Sequence, residues 1–182
     1  MKIKLFIWLV EHKKILTWEN LWKKVLSDPS KCQLCESQEE TMEHLLNLCP
    51  YTSIVWNGIA SIFKQTNGGM GSITYTLKKW RKNFFEYDIV NKAWASAPGF
   101  LIWDVSKECN NRIFKNKKGS SHSIMEIFLR QLKDMVGTLI QKPPENQPSN
   151  DDVQILLYLG MWGLIPQGNN KNIKHIIADR DF

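Results

Sequence analysis

Four side chains with metal-binding chemistry fall within 18 residues of one another. They are Cys32, Cys35, His44 and Cys49, in the pattern Cys-x2-Cys-x8-His-x4-Cys. Two cysteines separated by two residues form a tight turn whose backbone amides point at both thiolates. A tetrahedral zinc ion accepts such a pair and needs two further nitrogen or sulfur ligands. The spacing therefore predicts a zinc site whose four positions are all filled by protein.

The second half of the pattern requires a helix that ends at Cys49. We expect His44 to lie one turn inside this helix. Five residues of an ideal α-helix rotate a side chain by about 500°, which carries Cys49 well off the face of His44. Pro50 restricts the backbone of the residue before it. We therefore expect Cys49 to reach the metal from an unwound last turn.

Two other interpretations of the cysteines are open. They could be buried thiols beside a surface histidine, or Cys32 and Cys35 could form a disulfide. The apolar run Leu5 to Val10 is short and is followed by charged residues, so we expect no signal peptide. The expected location is nuclear or cytoplasmic and not secreted, and a reducing compartment favours a metal over disulfides. The later apolar run 155–165 is too short to span a membrane.

The predicted metal loop is acidic. Residues 31–49 contain one lysine and four glutamates, and three thiolates on a divalent ion add a further negative charge. Such a loop is a poor ligand for phosphate. We therefore expect the zinc to be structural, joining a loop to a helix that could not bury enough surface alone. The four glutamates are Glu36, Glu39, Glu40 and Glu43.

No catalytic constellation accompanies this site. Asp151 and Asp152 follow a proline-rich stretch and are interpreted as a solvated linker pair, without the strands that hold the carboxylates of a two-metal polymerase or nuclease. Cys109 lies on an apolar helical stripe and is interpreted as a buried core thiol. We predict a protein that is not an enzyme and has no small-molecule substrate. The isolated histidines, expected to be exposed, are His12, His122 and His175.

The chain is basic, with 24 Lys and Arg against 18 Asp and Glu and a net charge of +6. Such an excess favours an anionic partner, most commonly RNA or DNA. The positive charge is concentrated around Trp80 and along a helix that ends near Phe114, and basic residues beside aromatics are typical of surfaces that follow a phosphate backbone. An ordinary solvated surface is the alternative. The candidate nucleic-acid contacts are Lys78, Lys79, Arg81, Lys82, Lys107, Arg112, Lys115, Lys117 and Lys118.

Apolar residues recur at helical spacing along most of the chain, and no alternating pattern is long enough to build a sheet. The predicted class is all-α, a zinc knuckle plus two longer C-terminal helices. The clearest stripe predicts a helix over residues 121–140, capped by Ser120 or Ser121 and packed on the long helix before it. That long helix is expected to carry Pro98 in its first turn and to end near Asn116. The other predicted helices are residues 2–12, one capped by Thr17 and stopped at 28–30, one capped by Thr41, residues 51–64 and a broken helix over 73–95.

Composition divides the chain into three parts. Glycines break the helical pattern at 66–71, and three prolines mark a linker at 141–150. We predict a zinc-binding domain at 1–65, a helical extension at 66–140, and a linker with a short tail at 141–182. Most of the eight tryptophans are expected in the core.

Several segments around the metal pattern are similar to one known family. They are Lys2–Leu9 (KIKLFIWL), Ile15–Leu21 (ILTWENL), the cysteine and histidine set ending in Cys49-Pro50, and Trp56. Together they resemble the reverse-transcriptase zinc-binding domain that follows the polymerase in plant LINE-type (non-LTR) retrotransposons. Residues 101–103 and 110–114 resemble the helix that commonly follows this domain, although Cys109 stands where an arginine is expected. The resemblance covers about residues 1–65 and 94–118 and implies a place in reverse transcription.

Two functional hypotheses follow. In the first, the chain is a nucleic-acid-binding accessory module that positions template RNA or target DNA beside a polymerase. In the second, it is a structural or protein-contact module whose apolar helices pack on a reverse-transcriptase polypeptide, with Trp8 and Trp18 as candidate contacts. Salt-dependent binding to nucleic acid separates the two.

Overall fold

The computed structural model describes residues 2–22, 31–66, 68–69, 71–82, 84–139 and 148–161. Within these ranges the chain is helical, and its one strand-like feature is a bridge between Lys31 and Glu39. The predicted all-α class is therefore confirmed. None of the described helices has the length and apolar character needed to cross a membrane. The helices are α1 (Lys2–Glu11), α2 (Trp18–Trp22), a π-helix (His44–Leu48), α3 (Pro50–Ile62), α4 (Ile73–Trp80), α5 (Asp88–Lys115), α6 (Ser121–Leu139) and α7 (Asn150–Tyr158).

The long helix α5 lies at the centre of the fold. Helices α1, α3, α4, α6 and α7 and the π-helix all pack against it. α1 crosses it so closely at Gly99 that a Cβ there would lie 2.9 Å from Ile7 Cδ1 and 3.0 Å from Ile3 Cγ2. One apolar core runs from Phe6 to Leu159 through these contacts. The division of the chain at residues 65 and 140 stays a prediction.

The start of α5 differs from the sequence prediction. The helix begins at Asp88, and Pro98 lies in its interior and not in its first turn. Because α5 is covered on several sides, its apolar residues do not form one stripe, and the sequence pattern does not reveal its first turns. The predicted break within 73–95 is confirmed, since α4 ends at Trp80. The predicted end is also confirmed, because Asn116 adopts a left-handed conformation with φ of 49° that terminates the helix.

Helix α6 follows the prediction closely. Ser120 Oγ accepts a hydrogen bond from the Ser123 backbone N–H at 3.1 Å and caps the helix. One face, comprising Ile124, Phe128, Leu132 and Val136, is buried. This face packs on α5, as expected. Ile140 lies outside the described residues.

The N-terminal helices confirm one prediction and overturn another. Helix α1 spans Lys2–Glu11, as predicted for residues 2–12, and it buries Phe6 and Val10 in the core. Thr17 was expected to cap the next helix, but its Oγ1 has no hydrogen-bond partner among the described residues. Instead Glu40 Oε1 accepts from the Trp18 N–H at 3.1 Å, so a side chain 22 residues away caps α2. The predicted stop at residues 28–30 lies outside the described residues.

Three tryptophans form the aromatic centre of the core. Trp80 stacks on Trp94 with ring centroids 3.8 Å apart and an interplanar angle of 14°, and Trp56 packs beside Trp80. The Trp80 indole N–H donates to the Gly68 carbonyl at 2.8 Å. A Cβ on Gly68 would lie 2.1 Å from the Trp56 carbonyl oxygen, so Gly68 packs tightly against α3. The prediction of a tryptophan-rich core holds for these three residues, whereas Trp8 remains 45% exposed.

Asp151 and Asp152 are not a solvated linker pair. They lie in the first turn of α7, where negative charge is favoured by the helix dipole. Asp152 is fully buried and forms a reciprocal capping box with Ser149. Asp151 pairs with Lys64 at 2.6 Å. The linker residues 141–147, which precede this helix, lie outside the described residues.

Candidate metal centre

Cys32 and Cys35 lie in a tight turn held at its base by the Lys31–Glu39 bridge. The Glu36 N–H donates to the Cys32 carbonyl at 2.7 Å, and the Cys32 N–H donates to the Gln38 carbonyl at 2.7 Å. Glu36 closes the turn with a left-handed backbone, φ 57°, which an L-residue adopts at some energetic cost. The predicted knuckle is therefore formed. The four cysteines all lie in the described chain and are unbridged, so the disulfide alternative is not realised.

His44 and Cys49 lie at the two ends of the π-helix. Thr41 Oγ1 accepts from the His44 N–H at 3.0 Å, as expected for a helix that starts near Thr41. The Cys49 N–H donates to the His44 carbonyl at 2.7 Å, an i→i+5 bond. This wider register brings residue i+5 back over residue i. The expected unwound turn is thus a turn of π-helix, and it places both side chains on one face.

The four side chains converge. Their ligand atoms, three Sγ and one imidazole nitrogen, all lie within 4.8 Å of one another. Cys32 Sγ and Cys49 Sγ are 3.9 Å apart, and Cys35 Sγ is 3.2 Å from His44 Nε2. A tetrahedron of thiolates around zinc at about 2.3 Å has edges of about 3.8 Å. The donor set and its size therefore fit a zinc ion, with three of the four residues buried and Cys35 partly exposed.

Backbone amides surround the two buried sulfurs. The Cys32 thiol hydrogen-bonds to Cys49, and this bond raises the pKa of Cys32 and lowers that of Cys49; burial raises the pKa of both. The backbone N–H groups of Leu34 and Cys35 act in the opposite sense on Cys32, and those of Tyr51 and Thr52 help lower the pKa of Cys49. Zinc binds thiolates, so metal binding would release the thiol protons.

Three of the four loop glutamates have structural partners. Glu36 pairs with Lys118 at 2.6 Å, which lowers the pKa of the Glu36 carboxyl. Glu43 Oε2 accepts from the Ile73 N–H at 2.7 Å at the start of α4. The buried Glu40 caps α2 and also accepts from Cys109 Sγ at 3.2 Å. Three of the four glutamate side chains of the loop therefore bind neighbouring segments of the fold.

Cys109 is a buried thiol, as predicted. Burial, followed by the nearby Glu40 carboxylate, raises its pKa, so it is held as a neutral thiol. His12 and His122 are exposed, also as predicted, and His12 stacks on Trp8. His175 lies outside the described residues.

The first basic cluster consists of Lys78, Lys79, Arg81 and Lys82, and it surrounds a buried aromatic residue, Trp80. Trp80 is fully enclosed and offers no face for a base to stack on. Lys78 and Lys82 are exposed. Arg81 pairs with Glu11 of α1 at 2.5 Å, which neutralises part of the cluster. Lys79 is partly exposed.

The second basic cluster consists of Lys107, Arg112, Lys115, Lys117 and Lys118. Some of its side chains point inward and others point to the surface. Lys107 pairs with the buried Asp104 at 3.3 Å. Arg112 points inward, with 8% of its side chain exposed, and pairs with Glu108 at 2.7 Å. Lys115 and Lys117 are exposed beside Phe114, which is 78% exposed. The structure therefore keeps the end of α5 as a basic surface, with Lys118 paired to Glu36.

Sequence reasoning missed the buried network around Arg112. Its other members are Glu108, Tyr51 and Gly119. The i, i+4 spacing of Glu108 and Arg112 was a signal for an ion pair on one helix face. Nothing in the spacing of Tyr51, 61 residues earlier in the chain, connects it to Arg112.

Comparison with known proteins agrees with the metal pattern. Residues 1–56 match the family model described as "zinc-binding in reverse transcriptase". The chain is also similar to an Arabidopsis thaliana protein named "Putative ribonuclease H protein", with 34% identity over 125 residues, 64% of this chain. The chain spans only 19% of the length of that relative. No solved structure matches this chain.

Proposed function

We propose that this chain is a non-catalytic zinc-binding module of a retrotransposon reverse transcriptase, of the plant LINE type. Cys32, Cys35, His44 and Cys49 would hold one structural zinc ion. The observation that carries the proposal is the convergence of their four ligand atoms within 4.8 Å. Four protein ligands leave no open position for a reactive water, which is typical of structural and not catalytic zinc. The family match over residues 1–56 supports the context.

Cobalt substitution tests the ligand set. We expect one cobalt per chain with the absorption of a tetrahedral, sulfur-rich site, because three thiolates and one imidazole surround the metal. Cys49→Ser should weaken binding strongly and reduce the sulfur-to-cobalt absorption. Cys109→Ser is the matched control, since Cys109 is also a buried cysteine but lies outside the set. An octahedral spectrum, or unchanged affinity in Cys49→Ser, would contradict the proposal.

We further propose that the module assists binding of template RNA or target DNA. The net charge of +6 supports an anionic partner. The exposed end of α5, where Lys115, Lys117 and Lys118 lie beside Phe114, offers both cations and an aromatic face. The exposed Lys78 and Lys82 would add to it from the other cluster. Arg112 is excluded from this surface, because its guanidinium is buried against Glu108.

Salt dependence tests nucleic-acid binding. Each phosphate contact contributes about 0.7 to 0.9 to the slope of log affinity against log salt. Replacing Lys115, Lys117 and Lys118 with Ala should weaken binding to RNA or DNA and flatten that slope by roughly two units. Glu39→Gln, at an exposed acidic position of the metal loop, is the control and should leave binding unchanged or slightly stronger. Gel-shift titrations at several salt concentrations measure both quantities.

A protein contact is the second candidate function, favoured by the surface around α1. Leu5 and Trp8 are exposed on this helix, and Leu16 is exposed just after it. A groove of about 690 Å³ between α1 and α5 is lined largely by apolar side chains, including Ile7 and Phe100. Exposed apolar patches of this kind commonly mark protein interfaces. Absence of salt-dependent binding to RNA or DNA at micromolar protein concentration would favour this candidate.

A further inference from the structure

The side chain of Arg112 reaches from α5 to the cysteine knuckle. Its Nη1 donates to the Gln33 carbonyl at 2.9 Å and to the Leu34 carbonyl at 3.0 Å. Gln33 and Leu34 are the two residues between Cys32 and Cys35. The guanidinium therefore contacts the turn that carries both cysteines, although Arg112 lies more than 70 residues later in the chain.

The rest of the guanidinium is fixed by the fold. Nε donates to Glu108 Oε1 at 2.7 Å, and Nη2 donates to the Gly119 carbonyl at 2.8 Å. The guanidinium also lies over the Tyr51 ring, 4.8 Å from its centroid. Glu108 Oε1 accepts from the Gly119 N–H at 2.6 Å, and a Cβ on Gly119 would lie 2.8 Å from Glu108 Oε2. These contacts fix the planar guanidinium of Arg112 in one orientation, with Nη1 facing the cysteine knuckle.

The two carbonyls held by Arg112 belong to the peptide groups that serve the metal site. The Gln33 carbonyl shares a peptide plane with the Leu34 N–H, and the Leu34 carbonyl shares one with the Cys35 N–H. These are the two N–H groups of the knuckle that face the Cys32 sulfur. Because a peptide group is planar, fixing its oxygen on one side directs its N–H toward the sulfur on the other. Hydrogen bonds that are linked in series through a peptide group also polarise and strengthen one another.

We propose that Arg112 is a positioning residue of the metal centre. By clamping the two peptide groups between Cys32 and Cys35, it holds their N–H groups on the Cys32 thiolate and so raises the affinity for zinc. This inference rests on the zinc binding proposed above. It extends the metal centre to α5 and to the turn at Gly119, beyond the residues 1–56 that match the family model. It also replaces the phosphate-binding role first predicted for Arg112.

Zinc affinity of Arg112 variants tests the proposal. Groups that orient metal ligands typically change affinity by about 10- to 100-fold when removed, and we expect a loss in that range for Arg112→Met. Arg112→Lys should lose a similar amount of zinc affinity, because an ammonium group keeps the charge but lacks the planar set of donors of a guanidinium. Competition with a chelator of known affinity measures the loss. The cobalt-loaded variants should keep a tetrahedral spectrum with a shifted sulfur-to-cobalt band, since the hydrogen bonds to Cys32 change.

Two controls separate positioning from general stability. Lys115→Met removes an exposed cation from the same helix and should bind zinc like the wild type. Leu132→Ala creates a cavity in the core on α6 and should lower stability without changing zinc affinity of the folded protein. Arg112→Lys serves as the second variant if Arg112→Met does not fold. Wild-type affinity in the folded Arg112 variants, or an equal loss in Leu132→Ala, overturns this inference alone, whereas a wild-type chain that binds neither zinc nor cobalt overturns the proposed function itself.

Discussion

Removal of zinc should destabilise this chain more than any single core substitution. The candidate ligands lie on a short turn and beside a π-helix of only five residues, His44–Leu48. Structural zinc contributes about 10–16 kcal/mol of apparent binding free energy in zinc-finger peptides, comparable to the total stability of a typical domain, about 5–15 kcal/mol. Urea denaturation followed by far-UV circular dichroism, with excess zinc and with excess chelator, should show a large fall in midpoint.

Hydrogen exchange should locate the change. Amides of residues 42–53, which include the π-helix and the N-terminus of α3, should lose protection first, because Cys49 joins the two helices and would bind the metal. Magnesium is the control, since it prefers oxygen ligands and should not restore the midpoint. Identical midpoints with zinc and with chelator would show that the four side chains contribute nothing through a metal.

Trp80→Ala should be the most damaging substitution in the aromatic core. Trp80 is fully buried, stacks on Trp94 and donates its indole N–H to the Gly68 carbonyl. Truncating a buried aromatic residue to alanine costs about 3–5 kcal/mol, through lost burial and the cavity that remains. The free energy of unfolding from urea titration at saturating zinc measures the loss.

Tyr75→Ala is the matched control for Trp80→Ala. Tyr75 is an aromatic residue of the same helix, α4, but its side chain is exposed. Its removal should change the free energy of unfolding by no more than about 0.5 kcal/mol. Equal losses in the two variants would mean that Trp80 is not packed as the structure describes. Such a result would also return Trp80 to the candidates for base stacking.

The sequence predicted best those features that depend on local spacing. The four candidate zinc ligands, which converge in the structure, were identified because zinc restricts ligand type and spacing to a few patterns. Helix α6 was predicted within a residue or two because it buries one face, which leaves a clear stripe from Ile124 to Val136. Helix α5 was mispredicted at its start for the opposite reason: it is covered on several sides.

Long-range partners decided the features that the sequence did not reveal. Arg112 and the neighbouring lysines look equivalent as a row of positive charges, but Arg112 alone meets carbonyls from residues 33 and 34. Glu40 replaces Thr17 as a cap because the metal loop folds back onto α2. Asp152 is buried because it closes a capping box with Ser149. Such partners depend on tertiary structure, which charge patterns and local propensities do not encode.

The residue that ends the π-helix also begins the next core helix. Cys49 leaves the helical conformation, with ψ of 131°, and Pro50 opens α3 directly after it. A metal bound at Cys49 would therefore also hold the start of α3. That helix buries Val55, Trp56 and Ile59 in the core. The position of Cys49 is therefore constrained by packing as well as by coordination.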